Sequence, residues 1–246
     1  MTNEPKVRRR IGIIGGMGPE ATVLLMSRII RATPVNDDSD HVPMIVDNNP
    51  QVPSRIAALI EKRGEDPGPV IVAMAKGLQS FGADALAMPC NTAHHFADRI
   101  RAAVSIPFLD MVRLSVEKIA AQAGPGTRVG MLASPAVRMT GVFDRALGAS
   151  GLELAYLDDD GPLLGLIKHV KKWGGDKEAL AEMALLADRL VEQGADLLLV
   201  ACSELSLLTH ALPGNIPFVD SIDVLSDACI AFSTRAPTGS LDDFAA

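Results

Sequence analysis

Gly82-Ala83-Asp84-Ala85-Leu86-Ala87-Met88-Pro89-Cys90 and Gly194-Ala195-Asp196-Leu197-Leu198-Leu199-Val200-Ala201-Cys202 are two copies of one pattern: Gly-Ala-Asp, an aliphatic run, then a cysteine eight residues after the glycine. Each copy leads on to a second shared segment, Ile106-Pro107-Phe108-Leu109-Asp110 after the first and Ile216-Pro217-Phe218-Val219-Asp220 after the second. Upstream, Ile11-Gly12-Ile13-Ile14 has its counterpart in Val129-Gly130-Met131-Leu132, so the duplication embraces most of the chain. Short aliphatic runs at residues 10–15, 44–47, 84–88, 128–133, 152–157 and 196–201 read as buried strands separated by helix-period stretches. That alternation predicts an α/β fold of two pseudo-symmetric lobes, each a parallel sheet flanked by helices. Ligands of such sheets bind beyond the carboxyl ends of the strands, where both cysteines stand, so the site is expected between the lobes.

Breaks at Glu65-Asp66-Pro67-Gly68-Pro69 and Gly124-Pro125-Gly126 punctuate the chain, the second just before the strand at Arg128. The lobes are expected to comprise residues 1–113 plus 222–246, with a C-terminal helix, and residues 114–221. Residues 236–243 read as a solvated tail.

Composition narrows the function classes. In 246 residues, 23 Lys+Arg stand against 30 Asp+Glu, a net charge of −7, which argues against a general binder of nucleic acid or anionic membranes. Any anionic ligand then needs a local cation. With 48% hydrophobic and 4% aromatic residues the chain suits aliphatic strands and Ala/Leu helices. No apolar stretch reaches the roughly 18 residues of a membrane span. Residues 1–10 carry the positive charge of a signal peptide without its apolar region, so a cytoplasmic location is expected. Three cysteines without a CxxC pair suggest neither a disulfide framework nor a zinc site.

A buried cysteine is usually a small hydrophobe, and Cys229 reads that way. Cys90 and Cys202 differ because Asn91-Thr92 and Ser203-Glu204 follow at once, and these are N-cap residue types for a following helix. A thiol at a helix N-terminus is expected to have its pKa lowered from about 8.5 towards neutrality. Two such thiols facing each other would be able to remove a proton from one face of a bound carbon and return one to the other.

These motifs, with Gly15-Gly16-Met17-Gly18-Pro19, Asn49-Pro50-Gln51-Val52-Pro53-Ser54-Arg55 and Pro89-Cys90-Asn91-Thr92-Ala93-His94, resemble the aspartate/glutamate racemases that work without pyridoxal phosphate. The resemblance covers nearly the whole chain and implies a cofactor-independent racemase of an acidic amino acid, often a homodimer. Carried over by position, Cys90 and Cys202 match the catalytic pair. Arg55 and a lysine of Val170-Lys171-Lys172-Trp173-Gly174 match binders of the side-chain carboxylate, and Met17, Gln51, Asn91, Thr92, Ser203 and Glu204 match the pocket. Lys172 is the choice because it stands two before Gly174, with Lys171 the alternative. The chain departs from the family at Ser203, where threonine is usual, and at Ser54, where aspartate commonly precedes the arginine.

On the residues alone, Arg55 would be a helix-surface arginine and a lysine pair near a helix end a dipole partner. As a ligand, Arg55 offers a planar fork that holds a carboxylate through two hydrogen bonds. Gly16-Met17-Gly18-Pro19-Glu20-Ala21 fits the GxGxxG/A dinucleotide pattern, with Asp37, Asp38 and Asp40 about 20 residues on, but nothing comparable marks the second half. Dinucleotide binding by a non-catalytic protein is therefore the alternative to racemisation, beside related activities such as hydantoin racemase and maleate isomerase. His94, four residues after Cys90, would share a helix face with it as a base; His41, His169 and His210 show no constellation.

Overall fold

The fold is described for residues 8–235 in a computed structural model. The stretch 236–243 read as a tail, residues 1–7 of the opening segment and the outer ends of the first expected lobe lie outside the described residues.

The chain runs β1 (Ile11–Gly15), α1 (Pro19–Ala32), β2 (Met44–Asn48), α2 (Arg55–Leu59), α3 (Gly68–Ser80), β3 (Ala85–Ala87), α4 (Ala97–Arg101), β4 (Phe108–Leu109) and α5 (Met111–Gln122). It continues through β5 (Arg128–Ala133), α6 (Pro135–Thr140), α7 (Asp144–Ala149), β6 (Glu153–Ala155), α8 (Gly161–Trp173), α9 (Lys177–Glu192), β7 (Leu197–Ala201), β8 (Phe218–Asp220) and α10 (Ser221–Thr234). Two separate sheets result, ordered β2-β1-β3-β4 and β6-β5-β7-β8, with every pairing parallel. The fold is thus α/β with two equivalent four-stranded lobes. The six aliphatic runs all form strands, and the two Ile-Pro-Phe segments add the short edge strands β4 and β8.

The repeat recurs in atomic detail. Gly82 and Gly194 turn the chain at φ +90° and +88°, a region open to glycine. Asp84 then accepts from the Arg10 amide at 2.6 Å, and Asp196 from the Arg128 amide at 2.9 Å. Gly12 in β1 and Gly130 in β5 permit helix α3 or α9 to approach. A Cβ on Gly12 would stand 3.2 Å from Leu78 of α3 and 2.9 Å from both Ala83 and Leu86, and one on Gly130 would stand 3.3 Å from Leu190 of α9, 2.9 Å from Ala195 and 2.8 Å from Leu198.

Both faces of each sheet are buried, as continuous aliphatic strands require. Ile14 and Leu86 pack against Ile71, Met74 and Leu78 of α3, while Leu132, Leu198 and Val200 pack against α8 and α9. On the opposite faces the lobes exchange helices. Helix α5, which follows the first sheet, buries Val116 and Ile119 with Val129 and Met131 of the second. Helix α10, which follows the second sheet, buries Ile222, Leu225 and Phe232 with Ile11 and Ile13 of the first, and Cys229 lies in this core. The two helices pack on each other. No described helix is long and apolar enough to cross a membrane.

Candidate active site

Strands β3 and β7 are the equivalent centres of the two sheets, and each delivers a cysteine just beyond its carboxyl end. Cys90 and Cys202, both 7% exposed, line one cavity of about 320 Å³ between the lobes. The cavity also takes Met17 after β1, Arg55 and Ile56 from α2, Asn91 and Thr92 after Cys90, and Ser203 and Glu204 after Cys202. No group of His, Cys, Asp and Glu among the described residues is arranged to hold a metal ion.

The cysteine arms are followed by short 3₁₀ turns, Thr92–Phe96 and Leu205–Ala211, rather than by α-helices. Neither the Asn91 nor the Glu204 side chain caps its turn, which corrects the N-cap reading. Asn91 instead reaches across the lobes: its Nδ2 donates to Ser221 Oγ at 3.0 Å, and that hydroxyl donates to the Val200 carbonyl at 3.0 Å. Asn91 Oδ1 is left a buried acceptor with no partner among the described residues. Thr92 Oγ1 lies 3.4 Å from Ser134 Oγ of the second lobe.

Glu204 turns its carboxylate onto the thiol. Cys202 Sγ donates to Glu204 Oε2 at 3.1 Å, Ser203 Oγ lies 3.4 Å from the same oxygen, and Lys171 Nζ pairs with Oε1 at 3.3 Å. Burial and this carboxylate push the Cys202 thiol well above its ordinary pKa. The amide of Glu204 and the Lys171 ammonium pull the other way and are outweighed. The expected lowering by a helix terminus is therefore reversed at Cys202. This sulfur is a thiol hydrogen-bonded to a proton acceptor.

Arg55 opens α2 after Ser54, whose Oγ accepts from the Ala57 amide at 3.2 Å as a helix cap. The guanidinium is held by three carbonyls, those of Val52 at 3.3 Å, Pro53 at 3.1 Å and Met17 at 3.3 Å. These bonds fix the fork without neutralising it, and its charge faces the cavity.

Two expected pocket residues lie elsewhere. Lys172 is directed away from the cavity, with its ammonium 4.5 Å from the centre of the Trp173 ring, and Lys171 lines the cavity in its place. The reason is helical: Leu164, Ile167, Lys168 and Lys171 form one stripe of α8, and the next residue is turned by about 100°. Gln51 is exposed in the bend before α2, where its amide donates to Asn49 Oδ1 at 3.0 Å and Val52 is buried instead. His94 does not reach the Cys90 sulfur, since its Nδ1 bonds the Cys90 carbonyl at 2.9 Å. Ser134, Pro135, Ala136 and Met139 also line the cavity and were not anticipated. Their signal was the repeat itself: they follow β5 as Gly16 and Met17 follow β1.

The family model for Asp/Glu/Hydantoin racemase matches residues 14–229. A broad-specificity amino-acid racemase, RacX of Bacillus subtilis, is 26% identical over 229 residues, covering 91% of this chain and 96% of its own length. A glutamate racemase of Persephonella marina is 28% identical over 156 residues, 61% of this chain and 57% of its own. Among solved structures, the Picrophilus torridus aspartate racemase superposes with a TM-score of 0.82 at 28% identity, covering 95% of this chain and 97% of its own.

Proposed function

The chain belongs to the Asp/Glu/hydantoin racemase family and is an amino-acid racemase, and on that premise we propose that it interconverts L- and D-aspartate, or glutamate, by proton transfer between Cys90 and Cys202 without an organic cofactor. One observation carries this reading: two cysteines from equivalent strand ends of two equivalent lobes line a single cavity. A racemase needs an acid and a base on opposite faces of one carbon, and a duplicated fold with its site between the copies suits that need.

One thiolate takes the α-proton, and the opposite thiol then delivers its own proton to the other face of the resulting carbanion. The sulfurs end with their protonation exchanged. For Cys202 to act as the base its proton must leave, and Glu204 Oε2, 3.1 Å away, is the acceptor. Removing the α-proton moves negative charge onto the substrate carboxylate, and backbone N–H groups at the two turns after the cysteines would stabilise it. The unpaired Asn91 Oδ1 would accept from the α-ammonium.

Arg55 and Lys171 would hold the distal carboxylate, the arginine as a preset fork and the lysine by exchanging Glu204 for substrate. An acidic substrate fits because these cations line a cavity of an otherwise acidic protein. The family resemblance further implies a homodimer.

The test is the purified, reduced protein incubated with each enantiomer of aspartate and of glutamate, with chirality followed by chromatography. Racemisation that Cys90→Ala and Cys202→Ala each abolish, while Cys229→Ala keeps it, is expected. Full activity in either of the first two variants would sink the mechanism.

A further inference from the structure

Neither His94 nor Ser206 lines the cavity between the two cysteines, yet each stands four residues after one of them and binds that cysteine's own carbonyl. In the first lobe the Met111 amide donates to His94 Nε2 at 3.1 Å, so Nδ1 carries the proton and donates to the Cys90 carbonyl at 2.9 Å. In the second lobe the Ser206 amide donates to the Cys202 carbonyl at 3.1 Å, while Ser206 Oγ donates to Asp220 Oδ1 at 2.7 Å.

The far ends of these links are equivalent. Asp110 caps α5, accepting from the Val112 and Arg113 amides at 2.9 and 3.0 Å, and Asp220 caps α10, accepting from the Ile222 amide at 2.9 Å. Met111 is the first residue of α5, so His94 reaches that helix directly, whereas Ser206 reaches α10 through its capping carboxylate. Helix α5 packs into the core of the second lobe and α10 into that of the first. Each cysteine backbone is thus tied to the helix that belongs to the opposite lobe.

We propose that His94 and Ser206 are a pair of positioning residues, each fixing one reactive cysteine against the opposite lobe: His94 by its ring bond to the Cys90 carbonyl, and Ser206 by its hydroxyl, which ties the turn whose amide holds the Cys202 carbonyl to Asp220. This rests on the two-thiol reading above. Proton transfer to carbon needs both sulfurs held on opposite sides of one atom, and a displacement of about 1 Å costs roughly a hundredfold in rate. A separate anchor for each cysteine backbone sets the spacing of the thiols without contacting either sulfur. Burial holds His94 below its ordinary pKa and so keeps it neutral, the state in which Nε2 accepts from Met111, with Asp110 opposing that shift and Arg101 adding to it.

The two anchors are distinguishable because they act on different transition states. Enantiomers have equal free energy, so kcat/KM falls equally in both directions whichever thiol is displaced. The α-deuterium isotope effect does not. Displacing Cys90 makes its own proton transfer limiting, which raises the isotope effect in the direction where Cys90 takes the α-proton and lowers it towards one in the other.

The experiment measures isotope effects on kcat/KM for both enantiomers in the parent, His94→Ala and Ser206→Ala, with His94→Asn as rescue because its amide N–H stands in for Nδ1–H. Each alanine variant is expected to lose about ten- to a hundredfold in rate and to split the isotope effects in opposite senses. His94→Asn should return towards the parent. Equal changes in both directions, no change, or the same sense of split in both variants would overturn the proposal. If His94→Ala does not fold, His94→Gln, whose amide substitutes for Nε2 and leaves the Cys90 carbonyl unbonded, must show the split that His94→Asn lacks. Failure of the two-thiol reading shows separately, as a parent enzyme whose product lacks solvent hydrogen.

Discussion

The two cysteine arms share strand position, burial and an i+4 anchor, yet they differ in the second residue after the sulfur. On one arm this is Thr92, neutral and facing Ser134; on the other it is Glu204, which accepts from the thiol and pairs with Lys171. A duplicated scaffold gives symmetric geometry, whereas the proposed two-thiol cycle is asymmetric at every instant, with one sulfur protonated and the other not. The carboxylate beside Cys202 supplies that asymmetry. It raises that thiol's pKa and so favours the protonated form of the Cys202 sulfur. The lesson is that the fold repeats while the protonation chemistry is set by single substitutions in the turns.

The largest effect should follow from removing this difference. Glu204→Gln keeps a polar partner but no proton acceptor, and kcat should fall about a hundredfold or more. Its effect on the sulfur runs the opposite way. Losing the carboxylate removes a cause that raises the Cys202 pKa, so alkylation of Cys202 at a fixed mildly alkaline pH, read by peptide mass spectrometry, should become faster while turnover becomes slower. Both rates falling together would break the comparison.

Next in size is the neighbouring lysine pair. Lys171→Met should raise KM for aspartate by about ten- to a hundredfold, the value of one charge-assisted hydrogen bond, whereas Lys172→Met should leave steady-state kinetics unchanged. Equal effects would remove the distinction between the two faces of α8.

The scaffold's symmetry is open to the same treatment. Gly12→Ala and Gly130→Ala each force a methyl group against a packed strand–helix contact and should each cost about 1–3 kcal/mol in denaturant unfolding. Costs differing by more than that range would show that the lobes are not equivalent in packing.

The smallest effect concerns the two anchors, of which only His94 carries a titratable side chain. Its pKa is below 6.5 when folded and near 6.5 when unfolded, so the unfolded chain binds the extra proton first as pH falls. Stability should be full above about pH 6.5 and decline below it. The melting temperature of His94→Asn should decline less steeply over that interval.

Much of this was legible beforehand, and the reasons differ by residue. The lobes, their parallel sheets and the two cysteines could be read because a repeat of Gly-Ala-Asp plus an aliphatic run is constrained by packing at every position. Lys171 and Lys172 could not be separated by motif spacing, since only the helical stripe through Leu164 and Ile167 distinguishes them. The thiol pKa was misjudged at Cys202 because a helix-terminus argument counts backbone dipoles and omits a side chain that folds back onto the sulfur. Ser134 and Met139 were missed for want of a sequence motif, although the repeat marks where they stand.

The most direct measurement is the first turnover of ordinary L-aspartate or L-glutamate in D₂O, with hydrogen content at Cα followed by NMR and mass spectrometry. If different sulfurs abstract and deliver, the inverted product carries deuterium at Cα from the first turnover, while unreacted substrate keeps its protium. Product that retains the substrate's own protium would mean that one base serves both faces and would contradict the two-cysteine mechanism.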